Sequence, residues 1–262
     1  MALLPQGHIC HVFTDEIVMR LIKKYWLLLS LLLSGFFSTS LHAGIVISGT
    51  RVIYPSDAKE VTLKLENKSR FPLLVQSWID AGDANSAPED SDVPFMIMPP
   101  VSRVEPAKAQ TLRITSTPLV SHATDRETLY WINVLEVPPQ SKGDQNYLSI
   151  AYRNRLKVFY RPSTLPGLSL ETLDKVSWQR QGEKLLAKNP TPYHISYASV
   201  QLSGYGIASV AGTDGGMIAP FSEQTFQLKR DNKVIAAPPN SVITKAINDY
   251  GAFIEKIYPL GR

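Results

Sequence analysis

The sequence predicts an all-β fold made of two consecutive antiparallel β-sandwich domains. Three observations predict it: apolar residues recur with period two, clusters of Pro, Gly, Asn and Asp interrupt them at short intervals, and one Pro-rich break divides the pattern in two. With 262 residues, 44% of them hydrophobic and 19% charged, the chain is long enough for two cores and unlike a disordered polymer. The formal charge of +4, from 27 Lys and Arg against 23 Asp and Glu, is spread along the chain. No dense basic block suggests a nucleic-acid arm, and none is expected as a partner.

The first element is a leader. From Met19 the chain reads MRLIKKYWLLLSLLLSGFFSTSLHAG, with cations at Arg20, Lys23 and Lys24 ahead of an apolar run from Tyr25 to Phe37. As a helix that run would span only roughly 20 Å against the ~30 Å hydrocarbon core, which fits a cleaved signal peptide better than a membrane anchor. Residues 1–43 are therefore read as a signal peptide cut after Ala43, leaving no stable membrane anchor. An uncleaved anchor is the competing reading, because Leu41 is bulky for its place near the cut. Asp15 and Glu16 are out of place in a positive leader, so Met19 is the expected true start.

Removing the leader takes away Cys10, the only cysteine, and His8, His11 and His42, leaving His122 and His194. A cysteine nucleophile, a disulfide and a His-rich metal site cannot be built from the remainder. No enzyme, cofactor or metal is expected.

The strands follow in order. Val61, Leu63 and Leu65 alternate with Thr62, Lys64 and Glu66 and end in an Asn67-Lys68-Ser69 turn. Similar strands are expected at Gly44 to Ile53, Leu73 to Asp80, Phe95 to Met98, Thr111 to Thr115, Leu129 to Val137 and Tyr147 to Tyr160, with turns at Glu105-Pro106-Ala107-Lys108 and Lys142-Gly143-Asp144. Seven strands between residues 44 and 160 match an immunoglobulin-like sandwich.

Arg161-Pro162-Ser163-Thr164-Leu165-Pro166-Gly167 cannot continue a central strand. The domains are accordingly placed at 44–161 and 168–262, with a linker at 162–167. Strands of the second half are expected at Lys175 to Trp178, Lys184 to Lys188, Ile195 to Gly204, Ser222 to Leu228 and Ala252 to Tyr258, with turns at Asn189-Pro190-Thr191-Pro192 and Gly215-Gly216.

No P-loop, HExxH, GxSxG or EF-hand loop occurs. Gly204-Tyr205-Gly206 begins a glycine fingerprint, but Ser209 stands where its last glycine would be, and the glycines read as strand ends. The Asn67-Lys68-Ser69 sequon carries no weight alone.

The informative stretch is NYLSIAYRNRLKVFYRP, residues 146–162. One parity carries Leu148, Ile150, Tyr152, Asn154, Leu156, Val158 and Tyr160; the other carries Ser149, Ala151, Arg153, Arg155 and Lys157. Two readings stand side by side: an edge strand guarded by charges, or an edge that lends itself to a partner, its backbone supplying hydrogen bonds, its alternate apolar side chains filling the partner's groove and its cations fixing the end of the partner's chain.

The residues GTRVIYP, QSWID, MPP before RVEP, DRETLYWINVLEVPP, RLKVFYRP, KNPTPYHIS and AINDYGA, in that order across the mature chain, resemble the PapD-like periplasmic chaperones of the chaperone–usher pilus pathway. The resemblance implies two immunoglobulin-like domains around an interdomain cleft. It implies that Arg51 in GTRVIYP and Lys157 in RLKVFYRP hold the terminal carboxylate of a pilin subunit. It also implies that Leu148 and Ile150, with Tyr152 third, fill the groove of a subunit lacking its last strand. Tyr152 departs from the usual aliphatic donor and would cap the groove or face the chaperone's own core. Lys157 falls on the parity opposite Leu148 and Ile150, which calls for a bulge, a strong twist or a place at the cleft mouth.

By the same resemblance Glu127, Arg161 and Asp249 form an ionic cluster between the domains. The short connection Ser141 to Asn146 resembles the short-loop subclass. The implied function is ATP-independent strand donation to pilin subunits in the periplasm, with delivery to an outer-membrane usher. Whether the free protein caps its own edge as a dimer stays open. A secreted immunoglobulin-like binding or adhesive module is the alternative, and it has no need for Arg51 and Lys157 to converge.

Overall fold

The structure, a computed structural model, describes residues 19, 20, 22–26, 44–90, 92–117, 122–140, 148–168, 170–182, 184–202, 208, 209, 216–227 and 241–260. The chain divides into two units, Met1–His42 and Ala43–Arg262. Of the first, Met19, Arg20 and residues 22–26 are helical. Among the described residues no helix is long and apolar enough to cross a membrane.

The second unit opens with β1 (Ile45–Ile47), β2 (Arg51–Pro55), β3 (Val61–Asn67), β4 (Leu73–Asp80), β5 (Phe95–Met98), β6 (Val101–Val104), β7 (Ala109–Ser116), β8 (Thr128–Val137) and β9 (Tyr152–Arg161). They form two sheets, ordered β1-β3-β7-β5 and β2-β9-β8-β4-β6. Alternation decides what lies between them: Leu63 and Leu65, Leu112 and Ile114, Val52 and Tyr54, Ile132 and Val134, and Leu156 and Val158 all join one buried core.

The expected Gly44 to Ile53 strand is two strands in different sheets. Gly49, at φ 123°, breaks it in the left-handed region that favours glycine, so β1 pairs with β3 while β2 crosses to pair with β9. Val101–Val104 adds an unforeseen strand against β4.

The second half contains a short helix, Leu170–Asp174, then β10 (Ser177–Gln181), β11 (Lys184–Asn189), β12 (Ile195–Leu202), β13 (Ala208–Ser209), β14 (Gly216–Ile218), β15 (Ser222–Gln227), β16 (Ser241–Ile247) and β17 (Phe253–Pro259). The sheets are β10-β11-β15 and β13-β12-β16-β17, with β14 also pairing to β12. Leu173, Trp178, Leu185, Tyr197, Phe226, Val242 and Tyr258 belong to their shared core. The strand expected from Lys175 instead starts at Ser177, because Leu173 anchors the helix in the core and Lys175 closes it with a hydrogen bond to Thr172. The glycine pair expected as a turn has Gly216 in β14. The Gly204-Tyr205-Gly206 segment and the Lys142-Gly143-Asp144 turn lie outside the described residues.

Both halves close one strand end in the same way. The Asn67 side-chain amide donates to the carbonyls of Phe71 and Val104, while its oxygen accepts from the Ser69 amide and hydroxyl. Asn189 does the same with Tyr193, Ala219 and Thr191. The two Asn-x-Ser/Thr stretches are therefore buried turn clamps, and every polar atom of Asn67 that a glycan would need is engaged in the fold.

Candidate functional site

The site grows from strand pairing. β2 runs parallel to β9 and opposes Arg51 to Lys157; β8 opposes Trp131 to Lys157; β4 opposes Asp80 to Trp131. Residues directly opposite in register share a sheet face, so Arg51, Lys157, Trp131 and Asp80 form one row across four strands. Arg153, Arg155 and Lys157 follow one another on that face of β9. The opposite face carries Leu156 and Val158 into the core.

This cationic face lines a cleft of about 520 Å³ with Thr50, Arg51 and Trp131, closed on the other side by Ile247, Gly251 and Phe253 of the second sandwich. Contact across it is close. Arg51 Nη1 donates to the Ile247 carbonyl at 3.2 Å, and a Cβ on Gly251, whose φ is 82°, would overlap the Thr50 hydroxyl. Arg51 also lies over the Phe159 ring at 5.7 Å, and its buried Nε has no acceptor among the described residues. Burial pulls the Arg51 pKa down, an effect partly offset by Asp249 and Glu127.

The cations differ in their commitments. Arg155 pairs with Asp80, whose side chain is 3% exposed, and stacks over Trp131 at 4.3 Å. Burial pushes the Asp80 carboxyl up, but hydrogen bonds from Arg155, Asn133 and the Gly82 amide outweigh it and hold it below the usual range. Arg153 donates to the Ala84 carbonyl and lies over Trp78. Lys157 Nζ sits 5.5 Å from the Trp131 ring centre. Asp80 thus neutralises Arg155, while Arg51 and Lys157 flank the cleft floor.

The strand expected from Tyr147 to Tyr160 is shorter at its start. β9 begins at Tyr152, opposite Glu136, while Leu148, Ile150 and Tyr152 are 84%, 48% and 59% exposed. Val137 ends β8 one residue later, so among the described residues no neighbouring strand holds the backbone before Tyr152 extended. Nor is β9 an edge along its whole length. It has β8 on one side from Tyr152 to Tyr160 and β2 on the other from Lys157 to Arg161, and among the described residues no strand pairs with 152–156 on that second side. Its pairing with β8 is unbroken, so no bulge turns Lys157; the lysine points into the cleft while the apolar parity enters the core.

A second cluster joins the sandwiches. Arg161 Nε donates to Glu127 at 2.8 Å, while Nη1 and Nη2 donate to the two Asp249 oxygens at 2.7 and 2.8 Å. Glu127 also accepts the His194 amide at 2.7 Å, and its own amide donates to the Pro192 carbonyl. Burial opposes the Arg161 charge, but Asp249 and Glu127 prevail and raise its pKa further. The structure therefore brings Glu127, Arg161 and Asp249 together, and separately Arg51 and Lys157. Sequence reasoning missed Asp80 and Trp131, which line up with Lys157 only once β4, β8 and β9 are in register. The Ser141 to Asn146 connection lies outside the described residues. No group of three or more His, Cys, Asp or Glu converges as for a metal among the described residues.

Comparison with known proteins gives the same picture in both halves. Residues 44–166 match the model of the PapD N-terminal domain, a pili and flagellar-assembly chaperone family, and residues 171–258 match that of the PapD C-terminal domain, a pili assembly chaperone family. The chain is 44% identical over 227 residues to the probable fimbrial chaperone YadV of Escherichia coli K12, covering 84% of this chain and 91% of that one. It is 37% identical over 221 residues to the chaperone protein MrkB of Klebsiella pneumoniae, covering 82% and 91%. The crystal structure of YadV superposes with a TM-score of 0.68 at 41% identity, covering 83% of this chain and 100% of that one. The structure of Salmonella enterica SafA pilin in complex with the SafB chaperone matches with a TM-score of 0.70 at 29% identity, covering 85% and 99%.

Proposed function

The chain belongs to the PapD family of pilus-assembly chaperones, and from that membership we propose that it receives fimbrial (pilin) subunits in the periplasm, completes their fold by lending a strand, and delivers them to an outer-membrane usher without ATP. The observation that carries this reading is the pairing of Arg51 with Lys157 where the open edge of β9 ends. A strand added beside residues 152–156 would occupy the side that β2 occupies farther on. Its last residue reaches Arg51 and Lys157 only if it runs parallel to β9. The terminal carboxylate would then receive two charge-assisted hydrogen bonds, each worth roughly 1.5–3 kcal/mol, which set the register of the added chain.

Upstream, Leu148 and Ile150 would insert into the subunit's exposed apolar groove, with Tyr152 at its rim. Lys157 lies nine positions after Leu148, roughly 30 Å of extended chain. That length is enough to cover the missing strand of an immunoglobulin-like subunit. An incomplete subunit exposes both an unpaired edge and a core-sized apolar groove, and covering both at once prevents its aggregation. The Glu127, Arg161 and Asp249 cluster would hold the angle of the cleft.

Export through a signal peptide cut after Ala43 belongs to this reading, supported by the family match beginning at Gly44. So do the domain limits 44–161 and 168–262 about a linker at 162–167, and a short loop before the donor segment. The exposed donor residues would also allow the free protein to cap itself as a dimer.

The test is capture of fimbrial subunits from periplasm co-expressing those encoded beside this chain, using the wild type and the Arg51→Ala, Lys157→Ala double variant. Capture by the wild type and loss with the folded variant is expected. Equal capture would remove the carboxylate anchor, and capture of no subunit by either would overturn the chaperone reading.

A further inference from the structure

Glu136 lies at the end of β8 and is 8% exposed, yet among the described residues no cation pairs with it. It accepts the Ile45 amide, and a Cβ added to Gly44 would overlap both of its carboxylate oxygens. The carboxylate therefore rests against the Gly44 α-carbon, one bond from the Gly44 nitrogen. Gly44 itself is held from the other side, where its carbonyl accepts the Lys68 amide at 3.0 Å. A buried carboxylate with one backbone donor is a costly arrangement unless a positive charge arrives.

We propose that Glu136 is the receiving site for the chain's own N-terminal ammonium, generated at Gly44 when the leader is removed. The inference rests on the reading that cleavage follows Ala43. In the uncut chain the Gly44 nitrogen is a neutral amide with one hydrogen; hydrolysis of the Ala43–Gly44 bond adds water across it, leaving a carboxylate on Ala43 and an ammonium on Gly44. That ammonium and the Ile45 amide would then grip Glu136 together. Any side chain at this position would require the Glu136 carboxylate to move, which gives the small residue after the cut a structural reason.

The consequence reaches the donor segment. Glu136 is the register partner of Tyr152, where β9 leaves its sheet. Pinning Glu136 to the terminus ties β1 to the base from which Leu148 and Ile150 extend, so removal of the leader would finish that base. Among the described residues, Glu66 and Lys68 on β3 and its turn stand near Gly44 and pair with each other, and Tyr152 faces Glu136 from β9.

The experiment uses the chain beginning at Gly44, released from a fusion by a protease that leaves no extra residue, and follows the isotopically labelled Gly44 amine by NMR against pH. A free α-amino group titrates near 7.7–8.0, and the terminus is expected to titrate above about 8.5, returning to the ordinary value in Glu136→Gln. Acetylating Gly44 should lower the denaturation midpoint of the wild type and leave that of Glu136→Gln unchanged. An ordinary amine pKa in the wild type, or an equal effect of acetylation in both, overturns the proposal. If Glu136→Gln fails to fold, the wild-type titration and its acetylated form still decide. The mass of the exported protein tests the cleavage reading separately: a terminus other than Gly44 overturns that reading, whatever the amine in the prepared chain does.

Discussion

Arg161 and Asp249 meet through both terminal guanidinium nitrogens, at 2.7 and 2.8 Å, joining the end of β9 to the turn between β16 and β17. The two residues come from different sandwiches, so this fork fixes an angle as well as a distance. Arg161→Ala would leave Glu127 and Asp249 facing each other without their shared cation. A loss of about 3–5 kcal/mol is expected on breaking a buried pair, read by denaturant unfolding. Small-angle scattering should report a changed interdomain angle. Unchanged scattering and stability would remove the cluster's role in setting the cleft.

The proposed donor side chains should behave differently. Leu148 and Ile150 are exposed in the free protein, so Leu148→Ser and Ile150→Ser should change its stability by less than about 0.5 kcal/mol each. Subunit affinity should fall at least about tenfold for each, because an aliphatic side chain buried in a groove contributes ~1.5–3 kcal/mol. Calorimetric unfolding and subunit pull-down measure the two effects separately.

His122 stacks on Tyr160 with ring centres 3.8 Å apart, among Phe95 and Tyr130, and its Nε2 is buried without a partner among the described residues. Burial lowers its pKa, so the folded state binds the proton less well than the unfolded chain. Its contribution is full above the unfolded value of about 6.5 and is lost as pH falls through that value toward the folded one. Stability measured from pH 8 to 5 should show this loss, and His122→Phe should flatten it.

Asp80 shifts in the same direction but acts in a lower window. Its folded pKa is depressed, so its stabilisation is present above about 3.9 and disappears as pH falls through the folded value. Asp80→Asn should reduce stability at neutral pH and weaken the acid dependence below pH 4. It should also loosen Arg155 over Trp131, seen as a change in tryptophan fluorescence.

Period-two alternation made much of the fold legible, because Val61, Leu63 and Leu65 or Leu129 to Val137 report the sheet face directly. It did not reveal Val101–Val104, whose four residues are too few to set a period, or the crossing at Gly49, which depends on a backbone angle. Ser241–Ile247 was missed although Val242, Thr244 and Ala246 are its buried parity, because two of those side chains are small or polar and give little hydrophobic signal. At the site, Arg51 and Lys157 were accessible through motif resemblance. The Asp80 and Trp131 row was not, since it exists only once four strands are in register. Gly44 and Glu136 are likewise far apart in sequence, and neither belongs to a charged pattern.

On the proposed reading the cleft captures a chain end. The most direct measurement is a crystal structure of the protein bound to the fimbrial subunit encoded beside it. The subunit's terminal carboxylate should lie within hydrogen-bond distance of Arg51 and Lys157, with its last strand parallel to β9 and Leu148 and Ile150 in its groove. A subunit whose terminus lies away from both cations, or whose strand runs antiparallel to β9, would contradict it.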